Sequence, residues 1–329
     1  MNVFMAQVRR EFWEHNGAFI ITPLMIAGLL LAVCIYIVLF HANPESEIGS
    51  EFFNLHDSAG TIVTPRSADP DVVEYYIDFS TGQLVPPDQY NTDWSSPMEQ
   101  GSQVAMGTLL VIHFMFMSII GFVLIFYSLS SLHTDRKDRS VLFWKSMPVS
   151  ETLNVLNKLF ICALAVPLLT TLIAWAAQIG YLLLATLFLL RVDMSPGEFL
   201  WAGLDLPRIF FEQLKLALWL GAWYLPLYAW LLFASALGRR SPFLVATVPL
   251  AVVIAFEYLI FGTWSVADLL GQQFAAVGAQ VSNYENTVKG SGFGGINLFM
   301  NNSRMLTGAI IAALLMPAAI WLRNHRFEI

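Results

Sequence analysis

Two side chains that could do acid–base chemistry stand singly inside apolar stretches of this chain. Glu257 falls within the run Phe243 to Gly262, and His113 falls within the run Val104 to Leu132. A charge inside a lipid-embedded helix costs about 2.5 to 3.5 kcal/mol on insertion scales, so such a residue tends to face protein or water. For Glu257 the alternatives are contact with a substrate, a proton or another helix, or a role in packing. For His113 a packed side chain is favoured over a ligand.

The sequence lacks the common motifs of enzymatic catalysis. A phosphate-binding loop needs a glycine directly before its lysine, and each of the five lysines follows another residue type. Neither the HExxH zinc pair nor the GxSxG nucleophile elbow occurs. We therefore predict that the chain is not itself an enzyme and holds no metal or cofactor of its own.

A short segment of alternating charges and aromatic residues, His133 to Thr152, separates the second and third long apolar runs. Pro148 ends its helical pattern, and Ser150 is placed to cap the next helix. The residues singled out here are Asp135, Arg136, Lys137, Asp138, Arg139, Phe143, Trp144, Met147 and Pro148. Exposed aromatic side chains flanked by charged residues are typical of a helix that binds in a groove on another protein. The same composition is also typical of a segment that lies at the membrane surface, with its aromatic rings among the lipid headgroups. The residues alone leave both interpretations open.

The elements that carry these residues are set by an unusually apolar composition. Hydrophobic residues make up 57% of the 329 residues, charged residues only 12%, and the mean hydropathy is +0.62. A helix needs roughly 20 apolar residues to cross a hydrocarbon core about 30 Å thick. We therefore predict an all-α polytopic membrane protein with six transmembrane helices. The predicted spans are residues 18–40, 104–132, 156–190, 216–237, 243–262 and 305–322.

The distribution of charge sets the predicted orientation. With cytoplasmic N- and C-termini, eleven of the 17 basic residues fall on the inner side, as the positive-inside tendency requires. Splitting the long third run into two spans would place Arg239 and Arg240 outside, so it is kept as one. Residues 41–103 hold eleven acidic residues and one basic residue, a charge of −10, and form a sizeable extracytoplasmic loop. The basic residues do not form a cluster of the kind that binds nucleic acid, so the sequence does not indicate nucleic-acid binding.

The segments outside the spans have their own patterns. Apolar stretches such as Val72 to Phe79 predict some strand within the first outer loop. On the cytoplasmic side, the remaining predicted segments are an amphipathic interfacial helix at 1–17, a loop at 133–155 and a tail at 323–329. On the outer side they are loops at 191–215 and 263–303, and the second of these contains an amphipathic or re-entrant helix.

Three segments, in this order, resemble the permease subunit of a type-2 ATP-binding-cassette (ABC) transporter. They are Arg9 to Pro23, the sequence DRKDRSVLFWKSMPVS followed by Lys158, and Ala236 to Gly262. The resemblance implies that residues 1–17 are the family's connecting helix. It also implies that Asp135 to Pro148 form the coupling helix, which sits in a cleft of the ATPase subunit. Similar family members carry an acidic residue near Glu257.

The resemblance also implies the partners. We expect two cytoplasmic ABC ATPase subunits, which bind ATP and Mg, a second permease copy or paralogue, and membrane lipid. The expected function is ATP-driven transport, with export favoured over import, in the inner membrane of a bacterium. Two alternatives stay open: a membrane anchor that transmits force to an outer partner without transport, and a membrane-embedded enzyme with an unrecognised motif.

Overall fold

The computed structural model describes residues 3–40, 76–78, 83–85, 97–137, 150–192, 194–238, 240–289 and 302–325. The helices in these ranges are α1 (Val3–Glu14), α2 (Thr22–Phe40), α3 (Pro97–Lys137), α4 (Glu151–Phe160), α5 (Val166–Arg191), α6 (Leu206–Trp223), α7 (Leu225–Leu237), α8 (Pro242–Phe261), α9 (Ser265–Lys289) and α10 (Asn302–His325). Single π-helical turns occupy Gly17–Ile21, Ile161–Ala165 and Gly197–Trp201.

Five of these helical stretches are long and apolar enough to cross a membrane. They are Gly17–Phe40, Val104–Asp135, Glu151–Arg191, Pro242–Phe261 and Ser303–His325. The pair α6 and α7 adds a sixth if it counts as one bent span. The prediction of a helical, multi-pass membrane protein is therefore confirmed.

The long third apolar run forms one continuous helical stretch of 41 residues from Glu151 to Arg191. The π-helical turn Ile161–Ala165 lies just before Pro167, where the N–H of Val166 reaches back to the carbonyl of Ile161. Such a turn accommodates a proline, which has no N–H and crowds the preceding turn of an α-helix. The sequence prediction of a single long span agrees with this arrangement.

The fourth predicted span begins earlier than the sequence indicated and is broken. α6 begins at Leu206, so the last ten residues of the predicted outer loop 191–215 are helical. The carboxylate of Asp205 accepts the N–H of Arg208 at 3.1 Å and caps this helix. Pro226 lies in the first turn of α7, and the two helices meet at Tyr224 with a bend of 47°. The bend is expected, since the ring of Pro226 cannot continue the hydrogen bonding of α6.

The described helices belong to two compact units of the chain. The first comprises Met1–Leu30, Leu109–Ile179 and Asp205–Ile329. One of its buried clusters joins α7, α10 and α4 through small side chains, including Ala229, Ala236, Ala312 and Ala319. Small residues let helix backbones approach closely where lipid provides no hydrophobic driving force.

The second unit comprises Leu31–Thr108 and Gly180–Leu204. Its two short strands, β1 (Tyr76–Asp78) and β2 (Gln83–Val85), pair antiparallel with Tyr76 opposite Val85, so some strand does occur in the segment where it was predicted. Within this unit the guanidinium of Arg191 donates to the carbonyl of Val38 at 2.9 Å and links α5 to α2.

Candidate functional site

The predicted coupling segment is described only at its two ends. Asp135, Arg136 and Lys137 form the last turn of α3, and the side chain of Asp135 is described. At the other end, the hydroxyl of Ser150 accepts the N–H of Leu153 at 3.3 Å, which confirms the predicted cap of α4. The predicted residues that lie outside the described ranges are Asp138, Arg139, Phe143, Trp144, Met147 and Pro148.

Both ends of this segment contribute to a largely buried set of charged side chains, which we name the ion-pair cluster. Its members are Glu11 of α1, Asp135 of α3, Glu151 and Lys158 of α4, and Arg323 of α10. All five belong to the first compact unit. Three carboxylates and two cations leave the cluster with a formal charge of −1.

Lys158 lies at the centre of the cluster. Its ammonium group donates to a carboxylate oxygen of Glu11 at 2.8 Å and lies 3.5 Å from an oxygen of Asp135. The other oxygen of Glu11 accepts the hydroxyl of Tyr127 at 2.8 Å. The side chain of Lys158 is only 2% exposed, so these contacts lie away from solvent. Within a protein, such charges remain only where paired and hydrogen-bonded.

Arg323 joins the cluster to the last helix. Its Nη1 donates to Oδ2 of Asp135 at 3.3 Å, and its Nε lies 2.8 Å from Oε2 of Glu151. The contact with Glu151 is an ion pair without an aligned hydrogen bond, since Oε2 of Glu151 has no hydrogen-bond partner among the described residues. Nη2 of Arg323 also has no hydrogen-bond partner among these residues. Asp135 therefore receives two cations, one from α4 and one from α10.

Helical spacing explains how the elements present these side chains. Tyr127 and Asp135 are eight residues apart on α3, and Glu151 and Lys158 are seven apart on α4, so each pair lies on one helix face about two turns apart. On α1, Gln7 and Glu11 are the buried residues, one turn apart. Phe4 packs edge-on against Phe160 of α4, with ring centroids 5.3 Å apart. The N-terminal helix is thus fixed to α4 by apolar and ionic contacts together.

Buried ion pairs of this kind fix geometry more reliably than they add stability. The desolvation of two charges offsets much of their attraction, whereas removal of one partner leaves a buried charge and costs roughly 3 to 5 kcal/mol. The cluster therefore defines how α1, α4, α10 and the end of α3 lie against one another. Displacing any one of these four helices from the others would leave a charge unpaired.

Glu257 has a specific structural role. Its carboxylate accepts the backbone N–H groups of Ser265 at 2.7 Å and Val266 at 2.9 Å, and the hydroxyl of Thr263 at 2.9 Å. A carboxylate at this place satisfies the free N–H groups of the first turn of α9 and complements the helix dipole. Among the alternatives that the sequence left open for Glu257, the structure shows contact with another helix, α9. Contact with a substrate stays a prediction.

His113 lies in the interior of the first unit. Its residue is 2% exposed, and neither ring nitrogen has a hydrogen-bond partner among the described residues. One turn earlier on α3, the carbonyl of Leu109 accepts the side-chain amide of Gln178 at 2.7 Å, and Gln178 accepts the amide of Gln213 at 3.1 Å. A chain of buried amides thus ties α3, α5 and α6 together close to His113.

A groove of about 440 Å³, which we name the aromatic groove, opens near the bend between α6 and α7. Its walls are almost entirely apolar and come from α3, α6, α7 and α9, with Phe114, Phe122, Tyr224, Tyr228 and Phe274 as the aromatic residues. Trp219 and Trp223 pack on Ala276 and Val277 of α9.

Among the described residues, Glu11, Glu14 and His15 form a group with potential metal ligands near one another. Both carboxylates already have cationic partners, since Glu11 pairs with Lys158 and Glu14 pairs with Arg10. These pairings account for the group without a metal.

Sequence reasoning named Asp135 and Lys158 but missed the other residues of this network, which are Glu11, Tyr127, Glu151 and Arg323. The contacts of these four residues join positions more than 100 apart, such as Glu11 with Lys158, and a single sequence contains no signal for such contacts. A partial signal did exist: oppositely charged residues flank several apolar runs at the ends predicted to share one side of the membrane.

Comparisons with family models, curated proteins and solved structures find no match to this chain.

Proposed function

We propose that the chain is the permease subunit of an ABC transporter, which couples ATP hydrolysis by a separate ATPase subunit to transport across a bacterial inner membrane. In this proposal the N- and C-termini are cytoplasmic and residues 41–103 are extracytoplasmic. Two ATPase subunits and a second permease copy or paralogue complete the assembly. The chain works as an exporter and contributes no catalytic residue.

The ion-pair cluster is the observation that supports this proposal best. Asp135 is the first residue of the predicted coupling helix, Glu151 comes three residues after its last residue, Pro148, and both are cluster members. A force applied to the segment would therefore act at once on the end of α3, on α4 and, through Arg323 and Glu11, on α10 and α1. Rigid-body input of this kind is a common route to helix tilting and alternating access.

The chemistry of the aromatic groove indicates the substrate class. Its walls offer apolar and aromatic surface with very few polar groups, which suits an amphiphilic molecule entering from the bilayer. We propose a lipid-like, peptide or drug-like amphiphile.

Co-purification tests the partner assignment directly. The tagged chain is extracted from its native membranes in mild detergent, co-purifying proteins are identified by mass spectrometry, and vanadate-sensitive ATP hydrolysis is assayed. A stoichiometric ABC ATPase with vanadate-sensitive turnover supports the proposal. Isolation of the chain alone, without hydrolysis, contradicts it and favours the lipid-facing belt for His133 to Thr152.

A matched pair of double variants tests the coupling segment itself. Phe143→Ala with Trp144→Ala should abolish association with the ATPase, because buried aromatic anchors supply most of the binding energy in such contacts. Phe122→Ala with Phe126→Ala removes two aromatic rings from α3 that are 67% and 63% exposed, and should leave association unchanged. Equal association in both variants would overturn the docking role of Phe143 and Trp144.

A further inference from the structure

A second groove lies in the first unit, between α1 with its following π-helical turn and the beginning of α5. It encloses about 660 Å³, within the range of small-molecule sites. Its lining residues are Arg9, Phe12, Trp13, Asn16 and Ile20 on one side, and Ala165, Leu168, Leu169 and Leu172 on the other. The cluster residue Glu11 is not among them, and the groove is separate from the aromatic groove near the bend.

The polar residues of this groove all lie on one side of its lining. Arg9 and Asn16 both come from the N-terminal segment, whereas the α5 side consists of leucine and alanine. Arg9 is exposed and forms no ion pair within the described ranges. The neighbouring Arg10, by contrast, has its guanidinium paired with Glu14. The groove thus combines one available cation with a long aliphatic wall.

The residues around the groove favour a lipid as its ligand. Leu172, which is 52% exposed, belongs to the span Glu151–Arg191, so the aliphatic wall continues onto a surface that faces the hydrocarbon core. Trp13 is 75% exposed beside Arg9, and tryptophan and arginine side by side are typical of the headgroup level of a bilayer. A soluble anion would satisfy Arg9 but leave the aliphatic wall uncovered.

We propose that this groove binds one anionic phospholipid, with its phosphate on Arg9 and an acyl chain along Leu168, Leu169 and Leu172. The charge of Arg9 selects an anionic over a zwitterionic headgroup, and the leucines hold the chain. Because α1 also carries Glu11, the bound lipid stabilises α1 in the position that completes the ion-pair cluster. This site does not depend on what the protein transports.

Native mass spectrometry of the full chain in an uncharged detergent measures the binding. Dioleoyl-phosphatidylglycerol is titrated against dioleoyl-phosphatidylcholine, and the fraction of protein with one bound lipid is recorded. We expect phosphatidylglycerol to bind more tightly. Arg9→Gln should weaken it roughly fivefold, the usual contribution of one basic residue near an anionic surface. Arg10→Gln, one position away and already paired in the wild type, should leave the affinity unchanged.

Two further measurements separate the headgroup from the chain. Leu172→Trp should reduce the binding of both lipids, since its ring occupies the space of the acyl chain. Inorganic phosphate at millimolar concentration should fail to displace phosphatidylglycerol, and displacement would overturn the proposal in favour of a phosphate site. Equal losses in Arg9→Gln and Arg10→Gln, or equal binding of the two lipids, would overturn it in favour of unspecific attraction.

Discussion

Substitution of Lys158 by methionine should destabilise the protein more than any change to a surface ion pair. The two side chains are similar in length, so the change removes the charge and leaves the packing largely in place. Glu11 and Asp135 lose their shared cation, and the formal charge of the cluster changes from −1 to −2. Since the side chain of Lys158 is only 2% exposed, solvent does little to screen the remaining carboxylates.

The expected loss follows from the cost of an unpaired buried charge, roughly 3 to 5 kcal/mol. In larger soluble domains each 1 kcal/mol lowers Tm by about 2 to 4 °C, so Lys158→Met should lower Tm by roughly 6 to 20 °C. The assay is thermal unfolding of the detergent-solubilised chain, followed by loss of the monodisperse peak in size-exclusion chromatography. Variants are compared at the same protein and detergent concentrations.

The chain offers a control in the pair formed by Arg10 and Glu14, which lies at the surface. These residues are four apart on α1, and their side chains are 35% and 43% exposed. Arg10→Met should cost no more than about 1 kcal/mol, as is usual for solvated pairs. The double variant Glu11→Gln with Lys158→Met should recover part of the loss, because it removes the carboxylate of Glu11, whose ion pair with Lys158 is lost. Equal losses for Lys158→Met and Arg10→Met, or no recovery in the double variant, would refute the reasoning.

Four other changes test separate parts of the structure. Asp135→Asn should lower vanadate-sensitive hydrolysis several-fold while the ATPase still co-purifies, since it weakens the contacts with Lys158 and Arg323; loss of co-purification would contradict this. Gly221→Ala should cost roughly 1 to 3 kcal/mol in thermal unfolding, because a Cβ there overlaps the carbonyl of Ala163, whereas Gly121→Ala, with open space, should cost nothing. Glu257→Ala should speed hydrogen exchange in the first turn of α9 and leave α10 unaffected; unchanged exchange would exclude the capping role. Pro226→Ala should change Tm by only a few degrees but lower coupled hydrolysis several-fold, since the restored N–H favours a straighter helix; full hydrolysis would show that the bend is not needed.

The sequence predicted features that depend on local composition. Six apolar runs were enough to predict the membrane-spanning helices, because each backbone group in lipid must be satisfied within its own helix. Ser150 was predicted as the cap of α4 from its place before a helical pattern, and its hydroxyl does accept the N–H of Leu153. The single long third span followed from the pair Arg239 and Arg240, which another span would have placed outside.

Features that depend on packing between distant segments could not be predicted. α6 begins ten residues before the predicted span. That span was bounded by apolar composition, so the polar residues Glu212 and Gln213, which are buried in the structure, fell outside it. Gln213 is accommodated by its hydrogen bond to Gln178 of α5, a contact invisible in a single sequence. The same holds for Glu11, whose partners Tyr127 and Lys158 come from two other helices.

The ion-pair cluster and the bend at Tyr224 divide the first unit in a way that suits mechanical coupling. On one side of the bend, α7 packs with α10 and α4 through a core of alanines, and α10 and α4 carry Arg323 and Lys158. On the other side, Trp219 and Trp223 of α6 pack on α9, whose first turn is held by Glu257. A displacement of the cluster would therefore carry α7 with it. α6 is held between α9 and the turn that follows α4, since its Gly221 lies directly against the carbonyl of Ala163, so its displacement would differ from that of α7. The difference would be taken up at the bend, where Pro226 leaves the helix without a continuous hydrogen-bond ladder and where the aromatic groove opens.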